Sequence, residues 1–482
     1  MPESLSNPTA PLLTAWTRFA DAPRTPFTIP GHKHRAGGIW PDLGRVNTGD
    51  VPLFGGLAPI KDAERVLVEA EARTATAWGA DWCRYSTGGS THANQAAALA
   101  VGAPGDTVLI ARNAHRSTLS GLILAGLNPV WLNPEVHPGL GLPLGLSAAS
   151  VGAALDAHPE AKALFLVEPS YVGSLSDLPA LVSLAHRRGV AVVVDQAWGA
   201  HFGFHPAYPP HALAAGADAL VFSAHKTLPA YSQGSVILAC TARLEADRLE
   251  RGHATSNTTS PAGSILASVD AACALLASSL GMSLLGELAE SVAAARERLR
   301  AAIPGVVIPG PEDFGGRFDP AKLVIRLGTT EVSGLKVENS LIAQGFPLEQ
   351  ADEDTLIPII TVADRPEHVA ALVDALIAAA GTSRRGSRTA DRVASFAVPP
   401  LPPAPLTPRE AFFAGRESVP AGEAIGRVSA ELIAPYPPGV ALLVPGETIT
   451  AETVDALHAA RTAGVRIAYA ADPTLRTYLV VR

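Results

Sequence analysis

A chain of 482 residues with 48% hydrophobic and 17% charged side chains has apolar surface for a large core and length for roughly three domains, which excludes a disordered protein. The net charge of −8, with no long Lys/Arg block, argues against a nucleic-acid partner, and the short cluster Arg384-Arg385-Gly-Ser-Arg388 reads as a solvated linker. Three scattered cysteines, Cys83, Cys240 and Cys273, without CxxC spacing, argue against a disulfide framework or a zinc site and fit a reducing compartment.

The first residues, Met-Pro-Glu-Ser-Leu-Ser-Asn-Pro, lack a basic patch followed by an apolar core, so no signal peptide is expected and residues 1–60 read as an N-terminal arm. From 61 to 301 short apolar runs alternate with helical segments. Val108-Leu-Ile110, Pro129-Val-Trp-Leu132, Ala163-Leu-Phe-Leu-Val167, Val190-Ala-Val-Val-Val194, Ala219-Leu-Val-Phe222 and Ser235-Val-Ile-Leu238 read as strands, with helices over 94–101, 117–125 and 178–188. This alternation predicts a doubly wound α/β domain with a mostly parallel sheet, whose ligands sit at the carboxyl ends of the strands. Residues 264–301 read as one long helical region. The uncharged stretch 271–286 is shorter than a bilayer span and reads as a buried helix, so a soluble cytoplasmic protein with no membrane partner is expected. Residues 302–380 suit a smaller α/β domain, with strands at Leu323-Val-Ile-Arg-Leu327 and Leu356-Ile-Pro-Ile-Ile360 and a helix over 368–380. Residues 381–407, with Val398-Pro-Pro-Leu-Pro-Pro-Ala-Pro405, form a Pro-rich linker to a C-terminal α+β domain at 408–482.

Two residues stand out within this frame. Lys226 follows the apolar run ending at Phe222, and Asp195 ends the run before it, one strand–helix–strand step away. A lysine and an aspartate at the ends of neighbouring buried strands suit pyridoxal 5'-phosphate (PLP): the lysine forms the Schiff base, and the aspartate keeps the pyridine nitrogen protonated. A surface lysine is the common alternative, but Ser223, His225 and Thr227 are unusual company for a solvated loop. Asp195 could instead cap a turn; a cationic ring nitrogen better offsets its burial, and Ala197 is small enough to let the ring lie flat. Ser86-Thr-Gly-Gly-Ser-Thr-His-Ala-Asn-Gln95 runs a Gly/Ser/Thr loop into a helix, an anion site in form or else a plain N-cap. It matches neither GxxxxGK[ST] nor GxGxxG. Ser223 could add a hydroxyl from the other side. His115, at another strand end, could stack on the ring, although a lone histidine there is more often structural. The 14 histidines show no HExxH or paired-ligand spacing, so no metal is expected.

In their order these motifs resemble the bacterial Orn/Lys/Arg decarboxylase family, PLP enzymes with an aspartate-aminotransferase-type fold. The resemblance runs through Pro30-Gly-His-Lys33, Gly88-Gly-Ser-Thr91, Ala111-Arg-Asn-Ala-His-Arg-Ser117, Glu168-Pro-Ser-Tyr-Val-Gly173, Val194-Asp-Gln-Ala-Trp-Gly199, Ser223-Ala-His-Lys226 and Thr259-Ser-Pro261. Past the linker it continues through Pro408-Arg-Glu-Ala-Phe412, Ala434-Pro-Tyr-Pro-Pro-Gly439 and Pro445-Gly-Glu447. It implies decarboxylation of a basic amino acid, arginine or lysine and possibly ornithine. Lys226 would be the Schiff-base lysine, Asp195 the partner of the pyridine nitrogen and His115 the stacking residue. Ser90, Thr91, His92 and Ser223 would hold the phosphate, and His225 would face phosphate or substrate, with Lys226 or His225 returning the proton to the substrate carbon. Glu349, with Asp352 as second choice, would meet the distal cationic group, and a homodimer at least is implied.

Two departures mark the site. Asp195-Gln-Ala-Trp198 stands where short members carry Asp-Glu-Ala-His, which puts Trp198 on the substrate side, and His92 stands where a small residue is common. There is also no room for the N-terminal wing domain of the large members. The competing readings are another PLP reaction, transamination or lyase chemistry, for which Arg326 is the one strand-borne arginine, and a catalytically silent binding paralogue.

Overall fold

Short, mostly apolar strands build the central layer. In the computed structural model, residues 9–21, 47, 49–54, 56–57, 60–384, 399–436 and 439–482 are described; the motif at Pro30–Lys33 and residues 385–398 of the linker lie outside them. Seven strands, β1 (Trp82–Ser86), β2 (Thr107–Ala111), β3 (Asn128–Leu132), β4 (Ala163–Val167), β5 (Ala191–Asp195), β6 (Ala219–Ser223) and β7 (Ser235–Ala239), form one sheet in the order β1-β7-β6-β5-β4-β2-β3. The steps β6-β5-β4-β2-β3 are parallel, while β7 runs antiparallel to both β6 and β1. Side chains alternate between the faces. Leu109, Leu164, Val192, Val194, Leu220 and Phe222 enter one core layer, and Ile110, Phe165, Ala191, Val193, Val221 and Ile237 the other. Helix Gly89–Val101 packs Ala93, Ala96, Ala97 and Ala100 onto the second face, where side chains this small allow close approach.

β1 is the strand that the apolar pattern does not reveal. Arg84 interrupts its run and is half-buried against Glu71 and Glu250 at the sheet edge. The expected helix over 264–301 is two, Gly263–Leu276 and Ser279–Ala302, bent by 78° at a break where Ser278 caps the second by accepting from Gly281 N. No single described helix is long and apolar enough to cross a membrane.

The smaller unit carries the short antiparallel strands Ile325–Arg326, Gln350–Ala351 and Thr355–Ile357 with helices Gly334–Ala343 and Pro366–Thr382. The strand expected at 323–327 is therefore reduced to two residues. The C-terminal unit pairs Arg416–Pro420 with Thr477–Val481 and Ala434–Tyr436 with Arg466–Ala468, beside helix Ala451–Thr462. It is fastened to the large sheet by Arg112, just past the end of β2. The guanidinium donates to both carboxylate oxygens of Glu447 at 2.5 and 2.6 Å and to Ala441 O at 2.7 Å, with both side chains 1% exposed.

Candidate active site

Strands β4, β5 and β6 end together around a cleft of about 480 Å³. Asp195, the last residue of β5, is buried, and its carboxylate accepts only from neutral donors: Asn94 Nδ2 at 2.7 Å and Ala197 N at 3.0 Å. Among the described residues no cation pairs with it. A buried carboxylate oriented in this way fits a cationic ring nitrogen as its missing partner. Asn94 also donates to Ser117 Oγ at 3.0 Å, so the helix under the sheet and the one after β2 hold the carboxylate jointly.

β1 pairs Ser86 with Ser235 of β7, which brings the glycine turn against the loop before β7, where Gly89 N donates to Gln233 O at 2.9 Å. Gly89 has φ +70°, a conformation that strains other residues, and it opens helix Gly89–Val101 toward the cleft. Ser90 Oγ lies 2.7 Å from Ser223 Oγ. These hydroxyls and the N-terminal end of the helix, with Thr91 beside them, make a cradle suited to a phosphate. His92, expected among the phosphate ligands, is not in the cleft. The helical turn carries it to the opposite side, where Nδ1 meets Ser86 Oγ at 2.7 Å and Nε2 meets His253 O at 2.9 Å. There it supports the loop from behind.

Lys226 lies one turn past β6 with Nζ 4.3 Å from the Trp198 ring centroid. Burial pushes its pKa below the usual lysine range, against the attraction of Asp195 and Glu349, which favours the neutral, nucleophilic amine. His225 Nδ1 is 2.9 Å from Gly234 O, and burial likewise lowers its pKa, with the Gly234 carbonyl opposing and Lys226 adding to the shift. His115 caps helix Arg116–Ala125 by accepting from Ser117 N at 3.2 Å and is open to the cleft. The protein packed around it lowers its pKa; Asp195 opposes this, while Lys226 and Arg116 add to it.

The cleft thus brings together Ser90, Thr91, His115, Asp195, Ala197, Trp198, Ser223, His225 and Lys226. Glu349 is exposed and outside its lining, yet its charge is felt by Lys226, Tyr171 and Tyr436. Asp352 is turned into its own hairpin, accepting from Asp354 N and Thr355 N at 2.8 Å, and Arg326 lies against Asp352 and Asp354, away from the cleft. Asn94, Tyr171, Tyr436 and Tyr469 complete the site without having been singled out from sequence. Tyr436 and Tyr469 come from the C-terminal unit: the Tyr436 ring lies 4.7 Å from that of Tyr171, tilted by 51°, and the Tyr469 ring lies 5.4 Å from the Arg116 guanidinium. The motif holding Tyr436 was visible, but nothing in it shows which ring it meets.

Residues 10–366 match the model of the Orn/Lys/Arg decarboxylase major domain, and residues 390–466 match that of its C-terminal domain. A protein of Halalkalibacterium halodurans named arginine decarboxylase is 33% identical, covering 98% of this chain and 97% of its own length. One of Bacillus subtilis with the same name is 32% identical over 99% of each. Among solved structures, the Francisella novicida lysine decarboxylase LdcF superimposes with a TM-score of 0.80 at 20% identity, over 98% of this chain and 81% of that one. The Sphingomonas wittichii serine palmitoyltransferase does so at 0.51 and 16%, over 64% and 75%. At these identities the two structural likenesses are of fold.

Proposed function

The chain belongs to the Orn/Lys/Arg decarboxylase family, and from that premise we propose that it is a PLP-dependent arginine decarboxylase forming agmatine and CO2. It is a decarboxylase of basic amino acids, as its family is. The observation that carries arginine is the likeness over nearly the whole of both chains, at 30–33% identity, to relatives named for that substrate. Bound PLP would supply the electron sink for the pair released when the Cα–carboxylate bond breaks. Asp195, aimed by Asn94, would keep a proton on the ring nitrogen, with His115 and Ala197 in the walls of the same cleft. Ser90, Thr91 and Ser223 hold the phosphate. Lys226 carries the cofactor and, with His225 beside it, is placed to return a proton to Cα. Trp198, Tyr171 and Tyr436 keep water from the reacting atoms, and Glu349 meets the guanidinium from the solvent side.

A transaminase would want an arginine for the α-carboxylate, and Arg326, the strand-borne candidate, faces the acidic hairpin instead. The same reading gives a cytoplasmic enzyme, a homodimer at least, divided into arm 1–60, large domain 61–301, small domain 302–380, linker 381–407 and C-terminal domain 408–482. The test is initial-rate measurement on arginine, lysine and ornithine with the amine identified by mass spectrometry. Arginine should lead by at least about tenfold in kcat/KM. A lead for lysine or ornithine overturns the substrate assignment, and a keto acid product overturns the reaction.

A further inference from the structure

Lys322 is a second buried lysine beside the cleft, and the chemistry above leaves it unused. It precedes strand Ile325–Arg326, and its stem packs on Gly173, where an added Cβ would come within 2.8 Å. Its Nζ lies 4.8 Å from the Tyr171 centroid and 4.6 Å from the Trp198 centroid, and it has no hydrogen-bond partner among the described residues. Both rings line the cleft and meet nearly perpendicular, 5.3 Å apart, so the nitrogen sits in the angle between two wall rings. The same indole has Lys226 Nζ on it.

The charged groups facing Lys322 are few. Asp319 attracts it without bonding it, and Asp319 Oδ1 meets His201 Nε2 at 3.0 Å and accepts from Ala321 N at 2.9 Å. Glu349 attracts it from the solvent side, Lys226 repels it, and Arg296 donates to its backbone carbonyl. Burial pushes its pKa down to about 8, with the two carboxylates holding it up and Lys226 lowering it further. A buried ammonium without a bonded anion is costly, and replacing such a charge by an apolar side chain of similar size is often neutral or stabilising.

We propose that Lys322 is a positioning residue that sets the polarity of the bound substrate, its ammonium acting across the Trp198 and Tyr171 rings on the α-carboxylate. Its charge makes the inner end of the cleft positive, while Glu349 makes the solvent end negative. A dibasic amino acid therefore enters carboxylate first, with its distal cation outward. The amine product has lost that carboxylate and is held less tightly, so decarboxylation itself loosens the complex. This inference rests on the decarboxylase reading.

The test uses the full-length, PLP-loaded protein with Lys322→Met and, as a second neutral variant, Lys322→Gln. KM for arginine and the inhibition constant of agmatine are measured for each. One charge interaction at this range corresponds to about tenfold. KM for arginine should rise about tenfold and agmatine affinity change by less than about twofold, with a Lys322→Met thermal midpoint no lower than that of the parent. Calorimetric binding of both ligands to Lys226→Ala protein, with and without Lys322→Met, reads the same ratio without turnover. An equal loss for both ligands, no change for either, or a fall in thermal midpoint overturns the proposal. Absence of any amine product from arginine, lysine or ornithine with the parent protein would instead sink the decarboxylase reading, and the calorimetric ratio would still decide the role of Lys322.

Discussion

Replacing Glu447 with alanine should loosen the C-terminal unit from the sheet and open the cleft wall it supplies. Both carboxylate oxygens take a guanidinium N–H of Arg112, and Oε2 also accepts from Val444 N at 2.9 Å. Both partners are 1% exposed, so water does not replace the lost bonds and Arg112 is left charged and buried. Breaking a buried pair by removing one partner costs about 3–5 kcal/mol, against at most about 1 kcal/mol for an exposed pair. Urea unfolding should therefore show a transition displaced by about that amount. Arg112→Met combined with Glu447→Ala should recover part of the loss, because the orphaned charge is gone. Since Tyr436 and Tyr469 ride on the same unit, KM for arginine should rise in the single variant. A Glu447→Ala loss below about 1 kcal/mol, with no recovery in the double variant, would refute the reasoning.

Two further outcomes follow from buried polar groups. Asn94→Ala removes the donor to Asp195 Oδ2, and a hydrogen bond to a charged group is worth about 1.5–3 kcal/mol, so PLP affinity measured by absorbance titration should fall about tenfold or more. An unchanged affinity would mean that Asn94 does not orient the carboxylate. Burial holds the His253 imidazole down to about 4, below its unfolded value, with Nε2 3.2 Å from Tyr85 O. The unfolded chain takes up the proton first, so this contribution is present above about pH 6.5 and is lost as pH falls toward 4. Between pH 7 and pH 4.5 the parent should lose more stability than His253→Gln, and a parallel pH dependence would count against the assignment.

Asp195 and Lys226 stood out in the sequence because one closes a fully buried strand and the other lies one turn past the next, where a charged side chain has few uses other than chemistry. The parallel core was legible for the same reason, since strands covered on both faces read as continuous apolar runs. β1 was not, because an edge strand keeps Arg84 in its middle to meet Glu71 and Glu250. His92 was misplaced because a loop motif read residue by residue ignores the helical turn that begins at Gly89 and rotates successive side chains apart. Asn94 needed the helix–strand packing that places it under Asp195. Tyr436 and Lys322 needed contacts between residues more than a hundred positions apart, which local pattern does not carry. The departure noted at Trp198 gained meaning only in three dimensions, as the ring that both Lys226 and Lys322 face.

The account rests on Lys226 being the residue that carries the cofactor. Borohydride reduction of the PLP-loaded protein, followed by peptide mass mapping, tests this most directly. The account predicts a pyridoxyl mass increment on the peptide holding Lys226 and no other, with loss of agmatine formation in step with its extent. Modification at Lys322 or another lysine, or none in protein that still decarboxylates arginine, would contradict it.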